Sequence, residues 1–186
     1  MKKYLVWIVL LLLLTGCSGP PGELNEGMKL RSKLLQSSGC SFDAVITADY
    51  GDKIHIFSMH CKSDHQGDVI FTVTQPDTIS GISGKLTGEG GDLTFEDTVL
   101  HFEWMAEEQL SPVSAPWILM KTLRSGYMTS AYREDGVIRL SMDDSYENEA
   151  LRLDIWLNED QMPERAEILY DAKRILSMTV ENFLIL

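Results

Sequence analysis

The spacing of apolar positions changes along the chain, and each change marks a different kind of structure. Tyr4–Leu14 is an unbroken apolar run behind two lysines, Lys2 and Lys3. From Glu23 to about Gln36 the period is helical: Leu24, Met28, Leu34 and Leu35 fall near one face. Acids lie early in this stretch (Glu23, Glu26) and bases late (Lys29, Arg31, Lys33), as the helix dipole favours. Ser37-Ser38-Gly39 ends the predicted helix. From Cys40 the period becomes two, with Phe42, Ala44, Ile46 and Ala48 alternating against Ser41, Asp43, Thr47 and Asp49, the mark of a half-buried strand. Tyr50-Gly51-Asp52 reads as a turn and Lys53–Lys62 as the returning strand.

Strand patterns continue over Asp68–Gln75, Thr78–Leu86, Leu93–Phe95 and Val99–Trp104, with Gly88-Glu89-Gly90-Gly91 as the tightest turn signal. A second helix is predicted to open at Ser111-Pro112 or Ser114-Ala115-Pro116, serine as cap and proline in the first turn. Its body, Trp117–Leu123, is apolar around most of its circumference, and Gly126 stops it. A short helix this apolar must be covered on more than one side, so a concave surface is expected to hold it. Strands then run over Tyr127–Arg133, Val137–Met142, Ala150–Leu157, Glu164–Tyr170 and Arg174–Leu184. In the clearest of them Leu151, Leu153, Ile155 and Leu157 point inward and Arg152, Asp154 and Trp156 outward.

About ten strands joined by short turns imply an antiparallel meander. A sheet of that size curls. The expected fold is therefore α+β: a curved antiparallel sheet forming an open half-barrel, with an N-terminal and a mid-chain helix on its concave face.

The first hairpin also makes a covalent prediction. If Tyr50-Gly51 is a two-residue loop, Cys40 lies opposite Cys61 on a non-hydrogen-bonded pair, where side chains approach closely enough for a disulfide. Such a bridge would contribute on the order of 3 kcal/mol by the chain-entropy model. The alternative is two buried, reduced cysteines.

Charge and the N-terminus change the picture next. A positive start, an apolar run and small residues before Cys17 make a secretory signal peptide. Tyr4–Leu14 is about half the roughly 20 residues that a membrane span needs. The expected organisation is a signal peptide over 1–16, a short tether over 17–22 and one domain over 23–186. The whole chain carries −12; without Lys2 and Lys3 the mature body carries −14. So acidic a body repels nucleic-acid phosphates and anionic headgroups, which excludes nucleic acid as a partner and disfavours docking of the body as a whole on an acidic bilayer.

The search for chemistry returns little. Neither Gly-x-Ser-x-Gly nor His-Glu-x-x-His is present. His60, Cys61 and His65 are close in sequence, but His60 and Cys61 alternate to opposite faces of one strand, so no metal site is expected. Asp143–Glu149 is acidic without the glycine and ligand spacing of a calcium loop. No catalytic residue and no cofactor is assigned. Phe42, Phe57, Met59, Trp117, Met120 and Leu123 either line a cavity for a hydrophobic ligand or pack as core. Trp104 and Trp156, on outward faces, suit contact with an envelope protein.

Leu14-Thr15-Gly16-Cys17 resembles the lipobox of bacterial lipoproteins at all four positions. In that family the chain is cut before the cysteine, and the cysteine takes a diacylglycerol. The lipobox, the first helix, the meander and the mid-chain Ser111-Pro112…Pro116-Trp117-x-Leu119 pattern, with Leu151–Leu157 and Pro163–Ile168, together resemble the LolA/LolB-like lipoproteins. The resemblance implies an open half-barrel plugged by helices. It also implies a non-enzymatic role: a carrier of lipids or lipoproteins, or, as in GerS-type germination lipoproteins of clostridia, a partner of a cell-wall enzyme. The soluble carriers of the group shuttle freely, whereas Cys17 would tether this chain to the membrane.

Overall fold

Residues 22–49, 51, 53–103, 105–106, 109–146 and 150–186 are described by the structure, a computed structural model. Helix α1 spans Gly22–Gln36. Strands β1 (Gly39–Asp49), β2 (Ile54–Asp64), β3 (Val69–Gln75), β4 (Ser83–Thr87), β5 (Gly90–Phe95) and β6 (Thr98–Phe102) follow. A small ribbon, β7 (Met105–Ala106) and β8 (Gln109–Leu110), leads to a single 3-10 turn at Pro112–Ser114 and helix α2 (Ala115–Ser125). The chain closes with β9 (Tyr127–Glu134), β10 (Val137–Asp143), β11 (Arg152–Leu157), β12 (Pro163–Tyr170) and β13 (Lys173–Ile185).

Eleven of these strands form one antiparallel sheet in the order β6-β5-β4-β3-β2-β1-β13-β12-β11-β10-β9. The last strand pairs with the first, so the two halves of the meander fan out to either side of β1 and β13. Strands β6 and β9 are left as opposite edges of an open sheet. The connection between those two edges contains α2, so topology carries this helix across the sheet. The side it crosses is the core side: Ala115, Pro116, Ile118, Leu119, Met120, Thr122 and Leu123 are all buried. The fold is the curved half-barrel expected, with both helices on its inner face.

Helix α1 buries Gly27, Leu30 and Leu34. Gly27 is required there for space, since a Cβ would lie 2.9 Å from Met128 Cε and 3.0 Å from Leu140 Cδ2, letting α1 sit directly on β9 and β10. Its N-terminus stays beside the edge strand, where Arg133 Nε is 3.9 Å from Glu23 Oε1. Its C-terminal end meets the chain's last residue, Ser38 N–H donating to Leu186 O at 3.1 Å.

Four expectations need correction. Met28 and Leu35, read as part of the apolar face of α1, are exposed, and the helix packs through Gly27, Leu30 and Leu34 instead. The first hairpin is wider than a two-residue loop, since its last pair is Asp49 with Ile54. Gly51 is in the left-handed region (φ 88°), and its N–H donates to Asp49 Oδ1 at 2.9 Å. Register therefore shifts by two, placing Cys40 opposite Ser63 and Cys61 opposite Phe42. The two cysteines become diagonal neighbours, some 7–8 Å apart by strand geometry and too far for a bridge. Both thiols are free and buried. Because the shift is even, every inward residue stays inward.

The strand expected at Thr78–Leu86 begins only at Ser83. After Pro76 the chain turns, with Ile79 N–H donating to Pro76 O and Gly81 N–H to Val73 O, before Ile82 returns to the ladder. Finally, Ser114 does not cap α2 with its side chain; its hydroxyl donates to Ser111 O within the 3-10 turn. Gly126 does stop the helix, yet in an extended conformation (φ −65°, ψ 160°). Glycine is needed there because a Cβ would crowd Thr122 O at 2.7 Å and Asp143 O at 2.8 Å.

Candidate functional site

The six residues proposed to line a cavity do come together. Phe42, Phe57 and Met59 rise from β1 and β2 on the inner face, and Met120 and Leu123 descend from α2. All five are buried in one continuous core, with Cys40 Sγ 3.7 Å from Met120 Sδ and Phe42 stacked on Phe183 at 5.4 Å between ring centroids. Trp117 is half-buried against this core, with Lys121 Nζ 5.4 Å over its ring. Phe42, Met59, Met120 and Leu123 are each at most 2 % exposed, so these four pack against neighbouring side chains.

Helix α2 is held in that position by two reciprocal arginines. Arg31 of α1 donates to three carbonyls at the end of α2: Leu123 O at 2.8 Å, Gly126 O at 2.6 Å and Thr122 O at 3.3 Å. Arg124 of α2 donates in return to Leu34 O near the end of α1 at 3.0 Å, and to His65 O in the β2–β3 turn. Helix C-termini leave carbonyls without intrahelical partners and carry partial negative charge, so each guanidinium satisfies both needs of the opposite helix. Burial pulls the Arg31 pKa down from its ordinary value, and proximity to Tyr146 partly offsets this. Sequence inspection missed this latch: Arg31 looked like a dipole-favoured base on its own helix, and nothing local showed a partner about ninety residues away.

The buried cysteines have no reactive character. Burial pushes the Cys40 thiol up to about 11 and raises Cys61 further, with Asp43 and Cys40 adding to the rise. Cys61 points into the core while His60 points outward and pairs with Asp43, its Nδ1 2.8 Å from Oδ1. His60 and Cys61 thus lie on opposite faces of β2, as their alternation predicts. Asn182 Nδ2 also donates to Asp43 (2.8 Å), and these two partners hold its carboxyl below the usual range.

The most organised polar arrangement lies on the outer face of the C-terminal half. Tyr132, Arg139, Trp156 and Arg165 sit directly opposite one another on β9, β10, β11 and β12. Their guanidiniums alternate with the rings: Arg139 Cζ is 5.5 Å from the Tyr132 centroid and 4.8 Å from that of Trp156, and Arg165 Cζ is 3.7 Å from Trp156 on the other side. Trp156 Nε1–H donates to Glu134 Oε2 at 2.7 Å. One row along, Asp154 accepts from Arg139 (2.7 Å) and from Ser141 Oγ (2.6 Å). Trp156 faces outward as expected but is only 4 % exposed, because the two arginines cover it. Beside it lies a shallow cleft of about 670 Å³ with Glu134, Asp135, Glu164 and Glu181 among its walls. Trp104, the other tryptophan considered for a contact, lies outside the described residues, as does Cys17.

The N-terminal segment, and not the fold, defines the class of protein. Residues 1–18 match the family model described as the prokaryotic membrane lipoprotein lipid attachment site. Cys17 is the cysteine within that segment. The protein is a lipid-anchored membrane lipoprotein on the extracytoplasmic side. Among the described residues no helix is long and apolar enough to cross a membrane.

Among solved structures the chain is similar to a LolA superfamily protein of Nitrosomonas europaea (8% identity, TM-score 0.47, covering 86% of this chain and 93% of that one). It is also similar to a DUF1329 family protein of Desulfovibrio piger (12%, TM-score 0.45, 89% and 94%) and to the Mycobacterium tuberculosis lipoprotein LppX (11%, TM-score 0.41, 87% and 93%). No curated protein matches it by sequence.

Proposed function

We propose that this lipoprotein is a non-enzymatic binding domain that works in place at the envelope, recruiting a protein partner rather than carrying a lipid. The observation that carries this reading is the pair of arginines that latches α2 over its packed side chains. Phe42, Met59, Met120 and Leu123 occupy the concave space, and Arg31 and Arg124 fasten the helix that would have to move to admit an acyl chain. Opening it would strip several part-buried carbonyls of charge-assisted hydrogen bonds, worth about 1.5–3 kcal/mol each before water recovers part of the loss, and expose an apolar helix face. The rigid outer row at Trp156 supports the same reading. Arginine and tryptophan are the side chains that dominate protein interfaces, and here they are preorganised.

In this reading, cleavage before Cys17 leaves one domain over 23–186 on a short tether, which suits recruitment better than shuttling. The likeness to germination lipoproteins makes a cell-wall enzyme the first partner class to test. The test is affinity purification of the anchored protein from membranes of its host, with bound proteins and bound lipids both quantified. An envelope protein recovered in near-equal amount, and lost with Arg165→Ala, is the expected result. A stoichiometric lipid with no such protein would overturn the proposal in favour of the carrier.

A further inference from the structure

The outward face of α1 differs from the rest of this acidic molecule. Gly27, Leu30 and Leu34 turn inward and Arg31 reaches under α2, so the opposite side presents Met28, Lys29, Ser32, Lys33, Leu35 and Gln36. Met28 and Leu35 are 48 % and 55 % exposed on a helix with no shortage of inward apolar residues. Of the acids of α1, Glu23 pairs with Arg133 on β9, while Glu26 pairs with Lys29 of this face at 2.8 Å, Lys29 staying more than half exposed. At the C-terminal end this face runs into a cleft of about 600 Å³, with Lys33 and Gln36 on one side and Met162, Phe183, Leu184 and Leu186 on the other; Asp160 also lines it. Leu184 and Leu186 are 58 % and 59 % exposed. Lysines beside exposed apolar side chains on a helix are the pattern of a surface that lies in a bilayer interface.

The tether brings this face to a bilayer. Only residues 18–21 separate Cys17 from Gly22, and five fully extended steps reach at most about 18 Å. Helix α1 therefore starts within that distance of the lipid that Cys17 would carry. We propose that the outward face of α1, continued by the cleft at Leu184–Leu186, is the surface on which the anchored domain rests against anionic headgroups. The body as a whole is repelled by such a surface, and this repulsion selects the one orientation that presents Lys29 and Lys33. The outer face of the sheet, with Trp156, then points away from the membrane toward the envelope.

The test uses the full lipidated chain on phosphatidylcholine–phosphatidylglycerol vesicles containing a nickel-chelating lipid. Nitroxides are attached at Ser32→Cys on α1 and, as the opposite pole, at Thr72→Cys on the outer face of β3; Cys40 and Cys61 are buried and react poorly. Nickel relaxation several-fold stronger at position 32 than at 72 is expected, and Lys29→Gln/Lys33→Gln should erase most of that difference. Equal relaxation at the two positions, or a difference that survives removal of both lysines, would overturn the proposal. The inference rests on the lipid anchor, and flotation separates the two: a chain that fails to float with vesicles loses the anchor, while one that floats with position 32 in water loses only the orientation.

Discussion

Replacing Arg31 by methionine should be among the most damaging single changes outside the hydrophobic core. Methionine keeps much of the apolar stem, so the loss falls on the guanidinium and its three acceptors, Leu123 O, Gly126 O and Thr122 O. Each hydrogen bond to a charged group contributes about 1.5–3 kcal/mol, but the three share one side chain and are not additive. The site is part-buried, so water recovers some of what is lost. A net destabilisation of about 2–3 kcal/mol follows. For a domain of this size that corresponds to a fall in Tm of roughly 5–10 °C. Urea unfolding followed by far-UV circular dichroism measures it, and Arg31→Lys, which keeps the charge and loses the fork, should fall between the two. Hydrogen exchange adds a local readout, since α2 amides should lose protection before the strands do. A variant within 0.5 kcal/mol of the parent, with α2 exchange unchanged, would refute the idea that Arg31 holds the plug.

Other consequences are as direct. Asp154→Ala leaves Arg139 with Glu134 as its carboxylate, 3.4 Å away, and Ser141 Oγ without its acceptor, and should cost about 1.5–3 kcal/mol in the same unfolding assay, the range for losing a charged hydrogen bond. Cys40 and Cys61 should both remain thiols in exported protein, unreactive to iodoacetamide when native and fully reactive in denaturant; intact-mass measurement of a 2 Da deficit would show the bridge instead. Asp43 contributes stability that is fully present above the ordinary carboxylate pKa near 4 and is lost as pH falls through its depressed native value. Asn182→Ala should therefore flatten the loss of stability as pH falls below about 4, as followed by acid titration of the fold.

What could be read in the sequence was whatever depends on parity and period. The alternation from Phe42 to Ala48 identified the inward face of β1 although the hairpin register was off by two, because a shift of two leaves parity untouched. The disulfide was lost for the same reason, since a covalent partner depends on register and not on face. The apolar circumference of Trp117–Leu123 was enough to place α2 in a concavity. The relations across long separations were hidden. Arg31 to Gly126 and Arg139 to Trp156 to Arg165 become visible only once the strand order is known, and no local pattern marks an arginine that caps a distant helix. Trp156 illustrates the gap: alternation gave its direction correctly, and the two arginines on neighbouring strands decided that it would be covered.

The filled interior can be tested without knowing any partner. Native mass spectrometry of the lipidated protein, released from host membranes in a mild detergent, weighs the chain with whatever it holds. A mass equal to the mature polypeptide plus its covalent anchor, unchanged by prior delipidation, is the result a latched and occupied half-barrel requires. A second, non-covalent lipid present in near-equal amount and removed by delipidation would contradict it.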